Sequence, residues 1–290
     1  MGTLLRRVLL SLALLAAAAT PGAAAAAARL STSYYSRSCP RVEQIVSDVV
    51  AAKQQANPST AAGTLRLFFH DCFVSGCDAS VLVSPLSSDR TPERAAEINL
   101  SLPGDAFDAV ARAKAALEAA CPGTVSCADI LALAARDLVG ILGGPRFPVF
   151  LGRRDARRSD ARDVEGNLPR TNMSARAMTV LFARKGITPQ EMVALAGAHT
   201  VGFSHCSEFA HRVYNYFDEL YFKNLPRGLG LLASDAALWE YPPTKVFVQQ
   251  YADNRTAFFQ DFARAMQKLG TVGVKTGRQG VVRRQCDILD

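Results

Sequence analysis

The chain has 290 residues, 49% of them hydrophobic, so it can bury one large core or two lobes. Its formal net charge of +7 predicts adhesion to polyanions. No dense run of Lys and Arg with interleaved aromatic residues is present, which argues against a nucleic-acid partner.

The N-terminus predicts a secretory signal peptide. Arg6 and Arg7 precede an apolar run over residues 8–19, and small residues follow. This order is typical of a cleaved signal, and the apolar run is too short to span a bilayer. We therefore expect a signal peptide over 1–28 and one secreted domain over 29–290, with no membrane span; a retained anchor is the alternative. Loss of the two arginines lowers the net charge from +7 to +5.

Residues 65–80, which read LRLFFHDCFVSGCDAS, are the most informative part of the chain. A helix predicted over residues 59–73 carries Arg66 and His70 four positions apart, so their side chains share one face. A neutral imidazole beside a cation suits acid–base chemistry on a small polar substrate. The alternative is a surface arginine and a core histidine bonded to a backbone carbonyl.

The end of this helix and the loop that follows predict a calcium site. Asp71, Asp78 and Ser80 offer side-chain oxygens, and Val74 and Gly76 can add backbone carbonyls. Calcium accepts such mixed oxygen ligands at about six to eight positions. A polar turn without a metal is the alternative.

Seven cysteines in a secreted chain predict disulfides, and the odd number leaves one unpaired. Only Cys72 and Cys77 can be paired from their spacing, as a bridge that stiffens the calcium loop. A nucleophile pair of Cys72 and His70 is the alternative, although a reactive thiol suits a reducing compartment better.

Helical periodicity dominates the rest of the chain, and convincing strand alternation is almost absent. The predicted fold class is therefore mainly α. Apolar spacing and capping boxes predict four further helices, over residues 105–120, 126–142, 188–199 and 256–269.

Two features are expected at the surface. Residues 153–163 contain five arginines and three aspartates, which predicts a solvated, charge-balanced loop. Sequons at Asn172 and Asn254 are candidates for glycans, whereas Asn99, which also begins a sequon, is expected to be buried.

Residues 65–80 resemble the distal signature of the secreted plant haem peroxidases, the class III family. The match extends from about Leu30 to Asp290 and contains one gap. Further motifs of the family follow in the same order: SCP at 38–40, ACP at 120–122, VSCAD at 125–129, LGRRD at 151–155, NLP at 167–169 and LAGAHTVG at 195–202.

The resemblance implies two mainly helical lobes, distal and proximal, with b-type haem between them. Arg66 and His70 are then the distal catalytic pair, and Asn99 accepts a hydrogen bond from His70 that fixes its tautomer. His199 is the axial ligand of the haem iron, and Asp235 accepts the hydrogen bond of its other ring nitrogen.

Other assignments also follow from the resemblance. Glu93 lies near the distal calcium and reaches it through water, and Pro169 lies at the rim where aromatic reductants dock. The implied disulfides are Cys39–Cys121, Cys72–Cys77 and Cys127–Cys286. From the residues alone, Asp235 could equally be a helix N-cap. His205 and His211 are alternatives to His199 as the iron ligand.

The chain departs from the family pattern after the proximal motif. Tyr216 runs directly into Phe217 and a stretch that normally comes several tens of residues later, which predicts an internal deletion near 216/217. The pairing above leaves Cys206 without a partner. Thr200 and Asp218 are the remnants of a second calcium site, and because two such residues are too few, we expect the second ion to be weakly bound or absent.

The resemblance implies a secreted, monomeric enzyme of the cell wall or apoplast. It would reduce hydrogen peroxide and oxidise phenolic donors by one-electron steps, in peroxide removal, the oxidative stress response and the phenolic or lignin chemistry of the wall. Its basic surface implies ionic binding to acidic wall polysaccharide. The alternative is a catalytically impaired, secreted, calcium-binding wall protein, since the proximal segment is missing.

Overall fold

The computed structural model describes residues 30–87, 90–202 and 216–289. The predicted mainly α fold is confirmed, and pairing between extended segments in this part of the chain is limited to isolated bridges. The helices are α1 Val42–Ala56, α2 Thr60–Val74, α3 Gly104–Ala120, α4 Cys127–Ile141, α5 Ala175–Arg184, α6 Pro189–Ala196, α7 Leu220–Asn224, α8 Ala233–Glu240, α9 Pro242–Asp253 and α10 Arg255–Leu269.

The helices contact one another in two groups. Helices α1 to α4 pack together, and α5 to α10 form the second group around α6, α9 and α10. Helix α2 touches the short turn Gly197–Thr200 of the second group. The fold therefore brings the two predicted functional segments, on α2 and around His199, to a common boundary.

The helix predicted to extend from residue 188 to His199 is shorter in the structure. Its capping box is present, because Thr188 Oγ1 accepts the Glu191 backbone N–H at 3.2 Å and the Glu191 carboxylate accepts the Thr188 N–H at 2.7 Å. However, α6 ends at Ala196, and His199 lies on the following 3₁₀ turn. At Gly197 the ring of Phe258 packs against the backbone so closely that a Cβ would collide with it.

The prediction of a solvated arginine loop over residues 153–163 is wrong for three of its eight charged residues, Arg153, Asp155 and Asp160, which are buried. Arg153 is 2% exposed, and its guanidinium lies 2.8 Å from the fully buried carboxylate of Asp129. Asp155 is also buried and accepts three backbone N–H groups, from Cys127, Ala128 and Arg283. These contacts tie the segment to α4 and to the C-terminal region.

Three disulfides hold the described residues, in the same pairs that the resemblance implied: Cys39–Cys121, Cys72–Cys77 and Cys127–Cys286. Asn172 and Asn254 are exposed, whereas Asn99 is 2% exposed. Among the described residues, none of the helices has the length and apolar character needed to cross a membrane. The predicted signal peptide over 1–28, Cys206, His205 and His211 lie outside the described residues.

Candidate active site

His70, which lies on helix α2, is held in one tautomer by Asn99. Its Nδ1 lies 2.6 Å from Asn99 Oδ1, and the amide nitrogen of Asn99 donates to the Glu93 carbonyl at 2.7 Å. Because that amide nitrogen is already used as a donor, the oxygen of Asn99 faces the ring and Nδ1 must carry the hydrogen. The lone pair of His70 therefore lies on Nε2, where a base needs it.

Arg66 lies beside that lone pair. Its Nε is 3.3 Å from His70 Nε2, and its two terminal nitrogens donate to the Ser101 carbonyl at 3.0 Å, to the Ser101 hydroxyl at 2.8 Å and to the Ile98 carbonyl at 3.2 Å. Sequence reasoning missed Ser101 as an anchor of this arginine. Ser101 is the third residue of the sequon that begins at Asn99, but a sequon carries no information about a contact with Arg66.

The environment keeps His70 neutral. Burial, and to a smaller extent the charge of Arg66, lower the pKa of its imidazole to about 4, against the opposing effect of the hydrogen bond to Asn99. A histidine with this pKa is unprotonated at neutral pH and can accept a proton.

In the second group of helices, His199 is oriented by Asp235. The His199 Nδ1 lies 2.8 Å from Asp235 Oδ1, and the same oxygen accepts the Tyr221 hydroxyl at 2.8 Å. The Leu232 N–H donates to the second oxygen at 3.3 Å. Burial alone would lower the pKa of His199, but the charge and hydrogen bond of Asp235 raise it overall. Sequence reasoning missed Tyr221.

The ring of His199 is partly accessible to solvent. Half of its side-chain surface, 51%, is exposed, although the surrounding protein desolvates the ring enough to act on its pKa. Both observations fit a ring on the wall of an internal cleft. The charge of Arg66 also acts on the pKa of His199, so the guanidinium lies within electrostatic range across the cleft. Among the described residues, the hydrogen bond of the His199 ring is made by Nδ1, and Nε2 has no partner there.

Residues 71–80, with Glu93, form a second polar cluster that is almost fully buried. Asp71 Oδ2 accepts the Ala79 N–H at 3.0 Å, but its Oδ1 has no partner, nor have the Ser80 hydroxyl and one oxygen of Glu93. Burial and the charge of Asp78 raise the pKa of Asp71 well above its usual value. Burial and the charges of Asp71 and Asp78 raise the pKa of Glu93 to about 9. The Ser80 hydroxyl acts in the opposite direction on this pKa, although it makes no close hydrogen bond.

Such unpartnered buried oxygens and mutually repelling carboxylates are what a hard cation would relieve. In the described part of the chain, no three His, Cys, Asp or Glu side chains converge on one point. A cation here must therefore draw on the Ser80 hydroxyl and on backbone carbonyls as well as on Asp71 and Asp78. The Val74 carbonyl, one of the predicted ligands, accepts the Lys185 ammonium at 3.0 Å.

The remaining predicted residues are Thr200 and Asp218, assigned to a second calcium site, and Pro169, assigned to donor binding. Thr200 is buried and its hydroxyl donates to Asp218 Oδ1 at 3.0 Å, so the two residues predicted as remnants of a second calcium site are adjacent. Pro169 is half-buried, and its neighbour Arg170 pairs with Glu97 at 2.7 Å, two residues before Asn99.

Comparisons with known proteins agree with this geometry. The sequence model of the peroxidase family matches residues 46–254. Peroxidase 41 of Arabidopsis thaliana is 51% identical over 295 aligned positions, which cover 89% of this chain and 90% of the relative. Peroxidase 65 of Arabidopsis thaliana is also 51% identical, and Peroxidase 31 is 47% identical over 90% of this chain and 94% of its own length. The chain therefore belongs to the peroxidase family, as one of the plant peroxidases, which are oxidoreductases.

Proposed function

We propose that this chain is a secreted haem peroxidase that reduces hydrogen peroxide and oxidises phenolic donors in one-electron steps. One observation carries the proposal. A neutral histidine, His70, is held by Asn99 and paired with Arg66, and the charge of that arginine also acts on a second histidine, His199, which is held by a carboxylate. A base with its cation on one side and a free imidazole nitrogen on the other are what peroxide cleavage at a haem iron requires.

The chain's own residues then move one proton. His70 Nε2 accepts it from the peroxide oxygen nearer to the proximal side and returns it to the other oxygen, which leaves as water. Arg66 stabilises the negative charge that develops as the O–O bond breaks. Haem, held through His199 Nε2, would supply the iron that accepts the two oxidising equivalents of the peroxide. Two phenolic donors each return one electron and one proton, so each peroxide yields two waters and two phenoxyl radicals.

Donor phenols dock, in this proposal, at the rim near Pro169. The half-exposed position of Pro169 supports this assignment, as does the tie between its neighbour Arg170 and Glu97 beside the distal residues. An aromatic donor there would lie at the edge of the cleft without displacing His70.

We also propose a distal calcium ion held by Asp71, Asp78 and Ser80, with carbonyl oxygens from Val74 and Gly76, and with Glu93 reached through water. The unpartnered oxygens of Asp71 and Ser80 support this set. For the second ion we propose weak binding or none, because Asp218 Oδ1 is already engaged by two donors, the Thr200 hydroxyl and the Leu220 N–H.

Secretion, the monomeric state and binding to wall polyanions remain part of the proposal. The three disulfides support an oxidising compartment. The basic balance of the mature chain supports ionic retention on acidic polysaccharide. Glycans at the exposed Asn172 and Asn254 would be compatible with the fold, since the Asn254 side chain uses only its oxygen, as the N-cap of α10.

The internal deletion gives the second candidate function, an impaired, calcium-binding wall protein. Since 89% of the 290-residue chain is about 258 residues, about 37 of the 295 positions aligned with Peroxidase 41 have no counterpart here. Tyr216 is 74% exposed, whereas Phe217 is fully buried and stacks on Phe258 with ring centroids 5.5 Å apart. The chain thus passes from the exposed Tyr216 to the buried Phe217 in a single step, which supports a deletion near 216/217.

An absorption spectrum separates the two candidates. The mature chain is loaded with haem, its Soret band is recorded, and hydrogen peroxide is then added. A Soret band that shifts on peroxide and recovers when a phenol is added is expected for the peroxidase. Absorbance typical of free haem, with no response to peroxide, would leave only the impaired calcium-binding protein.

A further inference from the structure

A lysine from the end of the chain reaches into the distal calcium loop, residues 71–80. The ammonium of Lys275 forms an ion pair with Oδ2 of Asp78. Its side chain is 30% exposed, whereas that of Asp78 is not exposed at all, so the lysine stretches from the surface to a buried carboxylate. This pair plays no part in the proposed peroxide chemistry.

The backbone fixes this approach. The Cys77 N–H donates to the Val272 carbonyl at 3.1 Å, and a Cβ on Gly76 would collide with the backbone of Gly273. Gly76 itself has φ of +109°, a conformation that favours glycine. The segment that carries Lys275 is therefore packed directly on the loop.

Asp78 differs from Asp71 in how its oxygens are used. Oδ1 of Asp78 accepts the Ser80 N–H at 3.1 Å, Oδ2 takes Lys275, and its carbonyl accepts the Ala156 N–H at 2.8 Å. Asp71 Oδ1 has no hydrogen-bond partner among the described residues, although the charge of Arg283 acts on this carboxyl group. Of the two carboxylates proposed to bind calcium, Asp78 is thus ion-paired directly, whereas Asp71 makes no direct ion pair in the described part of the chain.

Two further cations lie near the loop: Lys185, whose ammonium donates to the Val74 carbonyl at 3.0 Å, and Arg283, which is shared with another carboxylate. Arg283 is fully buried and donates to the Ala79 carbonyl at 2.6 Å, but its guanidinium also lies 4.0 Å from Asp155. Lys275 is therefore the cation, among the described residues, that is ion-paired directly with a carboxylate of the loop.

We propose that Lys275 is a built-in counter-ion of the calcium loop, which stabilises the loop without metal and weakens its affinity for calcium. The inference rests on the proposed distal calcium site. A buried carboxylate without a counter-charge destabilises the folded state, so Lys275 stabilises the metal-free form. A calcium ion that enters the loop meets the repulsion of the ammonium, so Lys275 destabilises the calcium-bound form. Both effects weaken calcium binding.

Charge-removing and charge-keeping variants test this role. Lys275→Met removes the ammonium and keeps a chain of similar length, whereas Lys275→Arg keeps the charge. Lys268→Met is the matched control, because Lys268 is also half-exposed and paired with a carboxylate, that of Glu191 at 2.7 Å. For each disulfide-bonded protein, with haem bound where the chain retains it, the calcium Kd is measured by competition with a fluorescent chelator. The midpoint of thermal unfolding is measured in excess EGTA and in millimolar calcium.

Lys275→Met is expected to bind calcium about tenfold more tightly, since one buried charge pair of this kind is worth about a factor of ten or more. Its unfolding midpoint is expected to fall in EGTA and to recover in calcium, while Lys275→Arg and Lys268→Met behave as the parent. Lys275→Gln repeats the test if the methionine variant does not fold in calcium.

The outcomes separate this inference from the proposal beneath it. An unchanged Kd and an unchanged midpoint in EGTA for the neutral variants would overturn the role of Lys275 and leave the calcium site in place. No calcium binding by the parent, with no effect of EGTA on its unfolding, would overturn the site and the role together. Because neither measurement depends on turnover, a chain with no peroxidase activity still gives an answer.

Discussion

The two sides of the cleft are held in different ways. On the distal side, Arg66, His70 and Asn99 are fixed by several contacts, all within residues 66–101. On the proximal side, one oxygen, Asp235 Oδ1, accepts hydrogen bonds from both His199 and Tyr221. The distal side therefore has redundant supports, whereas the proximal side has one.

This difference decides where a deletion does damage. The distal contacts come from one continuous stretch that precedes residue 216 by more than a hundred positions. A deletion near residue 216 therefore leaves these contacts unchanged. The proximal contacts join α7, α8 and the turn at His199, which lie on both sides of the proposed gap. The comparison teaches that this chain can keep the proposed distal pair, Arg66 and His70, intact while His199, the proposed iron ligand, loses support.

The largest effect is expected at the distal base. His70→Leu removes the group that accepts the proton, so the rate of reaction with hydrogen peroxide should fall about 10²- to 10⁴-fold. Stopped-flow absorbance at the Soret band measures this rate directly.

Two controls sharpen that result. The same variant should keep its resting spectrum and its calcium affinity, because His199 and the oxygens of the calcium loop are untouched. If the peroxide rate fell less than about threefold, some other group would be the base, and the role proposed for His70 would be wrong.

The distal side could be predicted because its residues are close along the chain. Arg66 and His70 are one helical turn apart, so their shared face follows from the period of the helix alone. Asn99 came from the family resemblance, and the structure places its oxygen 2.6 Å from the His70 ring. Ser101 could not be predicted, because its contact with Arg66 depends on how a loop folds back over α2.

The burial of Arg153 and the end of helix α6 could not be predicted, because both depend on contacts between residues that are distant along the chain. The solvated loop predicted around Arg153 ignored Asp129, a carboxylate 24 residues earlier on α4 that Arg153 needs as its buried partner. The capping box at Thr188 marked where α6 begins, because that signal is local. The end of α6 is set by tertiary packing of Phe258 on Gly197, which no local pattern contains.

The next effect concerns the single proximal support. Asp235→Asn keeps the shape of the side chain but removes its charge, so His199 loses its anionic acceptor. Outer partners of this kind typically change metal affinity about 10- to 100-fold. The rate at which haem transfers to an apo-globin acceptor should rise by a similar factor.

Asp261→Asn is the matched control for that variant. Asp261 is a buried carboxylate that accepts a tyrosine hydroxyl, from Tyr251 at 2.8 Å, but it lies on α10 and makes no contact with His199. It should change stability and leave haem transfer unchanged. Equal acceleration in both variants would mean that haem loss reports general loosening of the fold and not the His199–Asp235 bond.

A smaller effect appears in the pH profile of the distal side. Burial holds the pKa of His70 near 4, below the ordinary value of 6.5, so the base stays neutral as the pH falls from 8 to about 5. Below the pKa, protonation removes the lone pair, and the peroxide rate should fall about tenfold one pH unit below it. The same shift means that the folded state loses stability between pH 6.5 and 4, where the unfolded chain binds a proton that the folded chain does not. A kinetic midpoint near 6.5 would show that His70 is solvated.

The smallest effect isolates the second donor to Asp235. Tyr221→Phe removes one hydrogen bond, and Tyr251→Phe removes a bond of the same 2.8 Å length to Asp261, so each should lower the free energy of unfolding by about 1 kcal/mol. Only Tyr221→Phe frees Asp235 Oδ1 to bind His199 more strongly, which increases electron donation from the imidazole to a bound iron. The iron–histidine stretching frequency of the reduced, haem-loaded protein should therefore rise in Tyr221→Phe and stay constant in Tyr251→Phe. An unchanged frequency in both would mean that Tyr221 contributes packing alone, and the proximal side would then depend on Asp235 without tuning by a second donor.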